Sequence, residues 1–314
     1  MPIRRAWPLT LAALAAFSGA AMAADPPPAP APSSGRSGPL MTWADLTGRP
    51  RPHADATIAY GADPMQKVDL WLPRGAGPFP VVLMVHGGCW TTGIADRRLM
   101  DWAAADLRQH GIAVWNIDYR GVDRAGGGYP GTFLDTAAAA DRLAVDAGRY
   151  HLDLTRLVAV GHSAGGHLAL WLAGRSRIAG GSPIHAAHPL PIRHVVSLGG
   201  LPDLEATAAA PDNGCGTEVV GRLVGVADAR HRDVYADTSV PRLLPLGATQ
   251  VLVNGADDAI IPRRLATGYL AKAQAAGDSA TLAIVPDSGH VELIAPGTAA
   301  WAEARRRIEA ALAR

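Results

Sequence analysis

Gly161-His162-Ser163-Ala164-Gly165-Gly166 constrains this chain more than any other stretch. The apolar run Leu157-Val158-Ala159-Val160 leads into it and has the character of a strand buried on both faces. The run His167 to Ala173 leads out of it and reads as a helix. A strand that turns into a helix over so few residues leaves no room for side chains two positions either side of the serine. Gly161 and Gly165 remove the Cβ atoms that would collide with backbone. The serine hydroxyl is then lifted above the sheet edge, at the N-terminus of a helix whose dipole favours negative charge.

A G-x-S-x-G pentapeptide also arises as a glycine-bracketed helix cap, so partners for Ser163 must exist elsewhere. A serine hydroxyl is a poor nucleophile at neutral pH and needs a base. His290 follows the last expected strand in a Gly-His turn, from which a loop can return over the sheet. Of the other histidines near the motif, His162 should point away on so sharp a turn, and His167 should face the core or the sheet. A base needs an orienting carboxylate. Asp257 and Asp258 follow the preceding strand; the run Gly255-Ala256-Asp257-Asp258-Ala259-Ile260-Ile261-Pro262 favours Asp258, with Asp257 in reserve. Either could instead cap the helix after Pro262.

Negative charge developing on a substrate oxygen needs N–H donors already in place. The backbone of Ala164, just after the serine, is one. Gly88 and Cys89, in the loop His86-Gly87-Gly88-Cys89-Trp90, are the others. A cysteine in that loop costs nothing if only its N–H is used. Cys89 as a nucleophile is disfavoured, because it has neither the sharp turn nor an evident histidine of its own. Trp90 and Tyr129 are candidates for the substrate-facing wall, with core packing as the alternative for Trp90.

The rest of the chain supplies the frame. Expected strands are Thr57–Tyr60, Val68–Leu72, Val81–Val85, Ile112–Asp118, Leu157–Gly161, Arg193–Leu198, Val251–Val253 and Thr281–Val285. The first two form an antiparallel edge. Expected helices cover Arg97–Gln109, Thr132–Ala147, Ala164–Ala173, Arg263–Ala276 and Thr298–Leu312. Strands alternating with helices imply an α/β fold with a mostly parallel sheet and helices on both faces. Ligands in such sheets bind beyond the carboxyl ends of the strands, where every candidate residue above lies. Residues 201–249 show weak periodicity broken by prolines and read as a small cap insertion.

Together these residues resemble the α/β-hydrolase fold, and within it the serine esterases with an H-G-G-x-W loop. Carboxylesterases of the feruloyl and acetyl-xylan esterase type are similar, as are kynurenine formamidases. His290-Val291-Glu292-Leu293-Ile294-Ala295-Pro296 is similar to the formamidase-like group in particular, whereas Asn254 stands where many relatives carry His. The resemblance implies the chain order Ser163, Asp258, His290 and an acyl-enzyme mechanism without cofactor. The 201–249 insertion is shorter than a large lid domain and not strongly apolar, so the expected substrate is a small-molecule ester of a short acyl or aryl group. An arylformamidase and a non-catalytic binding module are the competing readings.

Arg4 and Arg5, an apolar run to Ala16 and Ala21-Met22-Ala23 read as a signal peptide over residues 1–23, cleaved after Ala23. The chain is then exported to the periplasm or beyond, with no stable membrane insertion after cleavage. Residues 24–39, rich in Pro, Ala, Ser and Gly, read as a linker, and residues 40–314 as the catalytic domain. A formal net charge of +1 gives no sign of polyanion binding, so no nucleic acid is expected as a partner. The 11 histidines and 2 cysteines show no metal-binding spacing. Cys89 and Cys215 can pair in an exported protein, but the sequence leaves that open.

Overall fold

The computed structural model describes residues 38–229 and 231–313. The signal-peptide reading lies outside these residues, as does the linker reading up to residue 37.

Among the described residues, eight strands form one sheet: β1 (Ala56–Ala59), β2 (Lys67–Trp71), β3 (Phe79–Val85), β4 (Ala113–Ile117), β5 (Leu152–His162), β6 (His194–Leu198), β7 (Thr249–Gly255) and β8 (Ala280–Val285). The helices are α1 (Trp43–Thr47), α2 (Asp101–Gln109), α3 (Gly131–Asp146), α4 (Ala164–Gly174), α5 (Leu204–Ala208), α6 (Glu218–Val224), α7 (Arg263–Ala275) and α8 (Ala299–Leu312). The strand order is β1-β2-β4-β3-β5-β6-β7-β8. β2 runs antiparallel to β1 and to β4, and all other pairs are parallel.

Strand alternation distributes the apolar side chains. Val81, Leu83 and Val85 of β3 join one core with the inner faces of α3, α4 and α7. Val82 and Met84 join a second core with α2 and α8. β3 is therefore apolar at every position, as a strand covered on both faces allows.

One strand starts earlier than the sequence expectation. β5 begins at Leu152 rather than Leu157, with a break in its register against β3 between Pro80 and Val81. Its first residues alternate apolar and polar: Leu152 and Leu154 pack on the core, while polar contacts hold the residues between and after them, with Asp153 accepting from Thr155 Oγ1 at 2.6 Å and Arg156 donating to Pro78 O at 2.9 Å. In the 201–249 insertion, Leu204, Val219, Val220, Leu223, Val240 and Leu243 are buried in the same core as α3 and α4. Among the described residues, no helix is long and apolar enough to cross a membrane.

Candidate active site

Ser163 stands between β5 and α4 with φ 55° and ψ −123°. Such a conformation costs a non-glycine residue about 1–3 kcal/mol and must be held by its surroundings. Here the Ser163 N–H donates to Leu198 O at 2.8 Å, and its carbonyl accepts from Gly166 N at 2.8 Å. A Cβ on Gly161 would lie 1.9 Å from Gly165 O, and one on Gly165 would lie 2.2 Å from Val85 O. The turn is open to glycine alone at both positions. Ala164 opens α4, where the first N–H groups have no intrahelical acceptor.

Asp258 follows β7 and His290 follows β8. Asp258 Oδ1 accepts from the N–H groups of Ile260 (2.9 Å) and Ile261 (2.8 Å). Its Oδ2 accepts from His290 Nδ1 at 2.7 Å, and both side chains are almost wholly withdrawn from solvent. One carboxylate thus caps a turn with one oxygen and orients an imidazole with the other. Asp257 is exposed and has no such contact, which disposes of it as the reserve candidate. Gly199, at the end of β6, adopts φ 56°, and a Cβ there would press to 2.9 Å from His290 Nδ1.

Ser163, His290, Gly88 and Cys89 line one cavity of about 310 Å³. Its remaining wall is mostly apolar and includes Trp43, Ile94, Leu99 and Ile260. Gly88, Cys89 and Trp90 take φ values of 103°, 52° and 55°, a left-handed run that curls the loop around the cavity. His86 braces it from below. Its ring stacks on Tyr119 with centroids 4.4 Å apart and contacts Asp118 Oδ1 at 3.0 Å. Asp118 is also held by Arg97 at 2.9 Å.

Cys89 and Cys215 form a disulfide, a pairing that the sequence leaves open. The bridge ties the loop after β3 to the 201–249 insertion. From there a chain of contacts leads to Asp258: Gly214 N donates to Ile260 O at 2.7 Å, and Ile260 N donates to Asp258 Oδ1. Gly214 is the part of the insertion that reaches the cavity wall.

Trp90 and Tyr129, expected on that wall, are not among the residues lining it. The left-handed backbone at Trp90 turns its indole into the core, where Nε1 donates to His167 Nδ1 at 3.2 Å. His167 Nε2 donates in turn to Thr238 O at 2.8 Å. Burial lowers the His167 pKa to about 4, so the ring is neutral, which suits this tautomer. Tyr129 is drawn aside by Asp237, to which its hydroxyl donates at 2.9 Å, and its ring stacks on His231.

His162 is the converse case. The sharp turn is expected to send it away from the site, yet it lines the cavity with its ring centroid 4.4 Å from that of His290. His162 Nε2 donates to His290 O at 3.1 Å. Burial, reinforced by the neighbouring His290, holds its pKa well below the usual imidazole range, so it stays uncharged beside the second ring. Its signal in the sequence is only the variable position of G-x-S-x-G. Trp43 leaves no signal beyond a short Thr-capped segment. Among the described residues, no group of three or more His, Cys, Asp or Glu side chains is placed to share a metal ion.

The BD-FAE family profile matches residues 68–269. The isoprenylcysteine alpha-carbonyl methylesterase ICMEL1 of Arabidopsis thaliana, described as probable, is 31% identical over 119 residues, covering 38% of this chain and 24% of that protein. Esterase LipI of Mycobacterium tuberculosis is 35% identical over 136 residues, covering 41% of this chain and 40% of its own length. The chain thus spans well under half the length of both curated relatives. Esterase B of Lactobacillus rhamnosus is similar in structure, with a TM-score of 0.68 at 18% identity over 86% of this chain and 93% of that one. At that identity the likeness speaks for the α/β-hydrolase fold.

Proposed function

The chain belongs to the BD-FAE family, an α/β-hydrolase esterase family, and on that premise we propose that it is a serine hydrolase cleaving carboxylic esters of short acyl or aryl groups. In this reading Ser163 is the nucleophile, His290 the general base and Asp258 the orienting acid. The observation that carries it is the 2.7 Å contact between His290 Nδ1 and Asp258 Oδ2, made by the histidine that lines the same cavity as Ser163.

The proposed reaction has two steps. His290 Nε2 takes the Ser163 proton as Oγ attacks the ester carbonyl. The N–H groups of Gly88, Cys89 and Ala164 hold the resulting oxyanion. Asp258 keeps the Nδ1–H tautomer in place and stabilises the imidazolium. His290 then gives its proton to the departing alkoxide, which leaves as the alcohol. Water, deprotonated by His290, releases the acid from Ser163. A cavity of about 310 Å³ with an apolar wall suits a short acyl chain or a single ring better than a long one. The Cys89–Cys215 bridge supports an oxidising compartment, and with it the export proposed from residues 1–23.

The test is hydrolysis of p-nitrophenyl acetate, butyrate and octanoate, methyl ferulate and N-formylkynurenine by the chain and by Ser163→Ala. Ester turnover that falls with chain length and is lost in the variant is the expected result. Preference for N-formylkynurenine by kcat/KM would move the reading to a formamidase. Absence of serine-dependent turnover on all five would leave a binding module.

A further inference from the structure

α1 precedes the first strand in sequence, yet it forms part of the cavity wall. Trp43, its first residue, lies edge-on to His290 at 6.2 Å between ring centroids and 84°, and edge-on to His162 at 6.1 Å and 74°. It is 38% exposed, so an apolar face remains open to whatever enters. Its placement is well defined. Thr42 accepts from Asp45 N at 3.3 Å, and its own N–H donates to Asp45 Oδ2 at 2.7 Å, a reciprocal cap that fixes the start of the helix. Arg49, just beyond α1, donates to Pro296 O at 2.9 Å.

Glu292 anchors this strap to the loop that carries His290. Its carboxylate is buried; Oε1 accepts from Met41 N at 2.5 Å and Oε2 from Gly289 N at 3.1 Å. The same side chain therefore holds the residue two before Trp43 and the residue one before His290. Neither of these roles belongs to the two-step reaction itself.

The path of the proton bears on which half of a substrate meets Trp43. His290 Nδ1 is occupied by Asp258, so the proton must pass to the departing oxygen from Nε2, at the far end of the ring. That oxygen then lies within hydrogen-bond reach of Nε2, and the group bonded to it occupies space beside the His290 ring. Trp43, edge-on to the same ring and on the wall of the same cavity, is the aromatic side chain available to bound that space. We propose that Trp43 reads the alcohol half of the ester and favours an aromatic or bulky apolar alcohol, and that Glu292 is a positioning residue that sets the Trp43 ring against His290. This rests on the esterase reading above.

The experiment compares kcat/KM for benzyl butyrate and ethyl butyrate, whose acyl groups are identical, with ethyl hexanoate as the acyl-side control. kcat/KM reports steps through acylation, where the alcohol is still attached. Trp43→Ala should lower the benzyl-to-ethyl ratio roughly tenfold and leave the hexanoate-to-butyrate ratio within about twofold. Trp43→Phe, which keeps an aromatic edge, should restore most of the benzyl preference. Glu292→Gln replaces one acceptor oxygen with a donor, so one of its two ties is lost; the benzyl-to-ethyl ratio should fall in the same direction. The double variant should show the ratio of Trp43→Ala alone, since Glu292 acts on this ratio through Trp43. Equal loss on benzyl and ethyl esters, or a shift confined to the acyl series, would overturn the assignment of Trp43. Additive ratios in the double variant would overturn that of Glu292. A chain with no serine-dependent ester turnover would overturn the esterase reading and this inference together, whereas normal turnover with an unchanged ratio would overturn this inference alone.

Discussion

The two ends of the parallel strands differ in what they offer a ligand. At the carboxyl ends Ser163 and His290 line a cavity of about 310 Å³, with Asp258 behind His290. At the amino ends lie two larger hollows of about 710 and 840 Å³, bordered by Leu190, Pro191 and Arg193. The carboxylates there are already engaged. Asp141 is clasped by Arg175 through two contacts of 2.7–2.8 Å, and Asp153 by Thr155 and Arg156. Volume does not separate the two ends; geometry does. Right-handed crossovers bring helix N-termini and tight turns to the carboxyl ends. There a strained serine, a shared carboxylate and left-handed loops can be held on a rigid frame.

The sharpest break in this comparison is to remove reacting groups from one end only. Ser163→Ala should reduce kcat by about three orders of magnitude or more, and Asp258→Asn by roughly 10²–10⁴. Steady-state kinetics on p-nitrophenyl butyrate checks both. Opening the Cys89–Cys215 bridge should come next. It closes a long loop, its ends 126 residues apart in sequence, so its loss should lower stability by about 2–5 kcal/mol. Cys215→Ser should also lower kcat, by freeing the backbone of Cys89, while Cys89 is needed only for its N–H. Denaturant titration and kinetics, each with and without reductant, measure the two effects.

Acid tests the buried histidines behind the carboxyl end. His162 and His167 are both held below the usual imidazole range by burial. The unfolded chain therefore binds protons that the folded chain refuses, and stability falls as pH falls. For His167 the loss runs from pH 6.5 down to about 4 and amounts to about 3 kcal/mol. Denaturant midpoints at pH 7.5, 6.5, 5.5 and 4.5 would show it; a flat profile would contradict the burial of these rings. The smallest effect belongs to the amino end, where Arg193→Ala should leave kcat/KM within about twofold. A tenfold loss there would mean that the two ends are coupled.

Much of this frame is legible in the sequence because parallel strands announce themselves. A continuous apolar run as short as Val81–Val85, bounded by proline and glycine, fits a strand covered on both faces and little else. Residues that follow such runs fall at the ligand-binding edge. Ser163, Asp258 and His290 are found in that way, and the structure brings Asp258 and His290 into contact. What escapes depends on contacts distant in sequence. Trp43 is placed through Met41 by Glu292, 251 residues further on than Met41. Trp90 and Tyr129 are expected at the wall because aromatic residues beside a glycine loop often are; the partners that withdraw them, His167 and Asp237, give no local signal. The start of β5 escapes because Asp153, Thr155 and Arg156 interrupt the continuous apolar run that marks the rest of the strand.

The central claim is that Ser163, activated by His290, is the nucleophile. The direct measurement is covalent labelling of the chain with a fluorophosphonate, followed by intact mass and peptide mapping. The account predicts a single adduct on the peptide containing Ser163, formed much more slowly in His290→Ala and absent from Ser163→Ala. An adduct at another residue, or a folded chain that takes no label while hydrolysing esters, would contradict it.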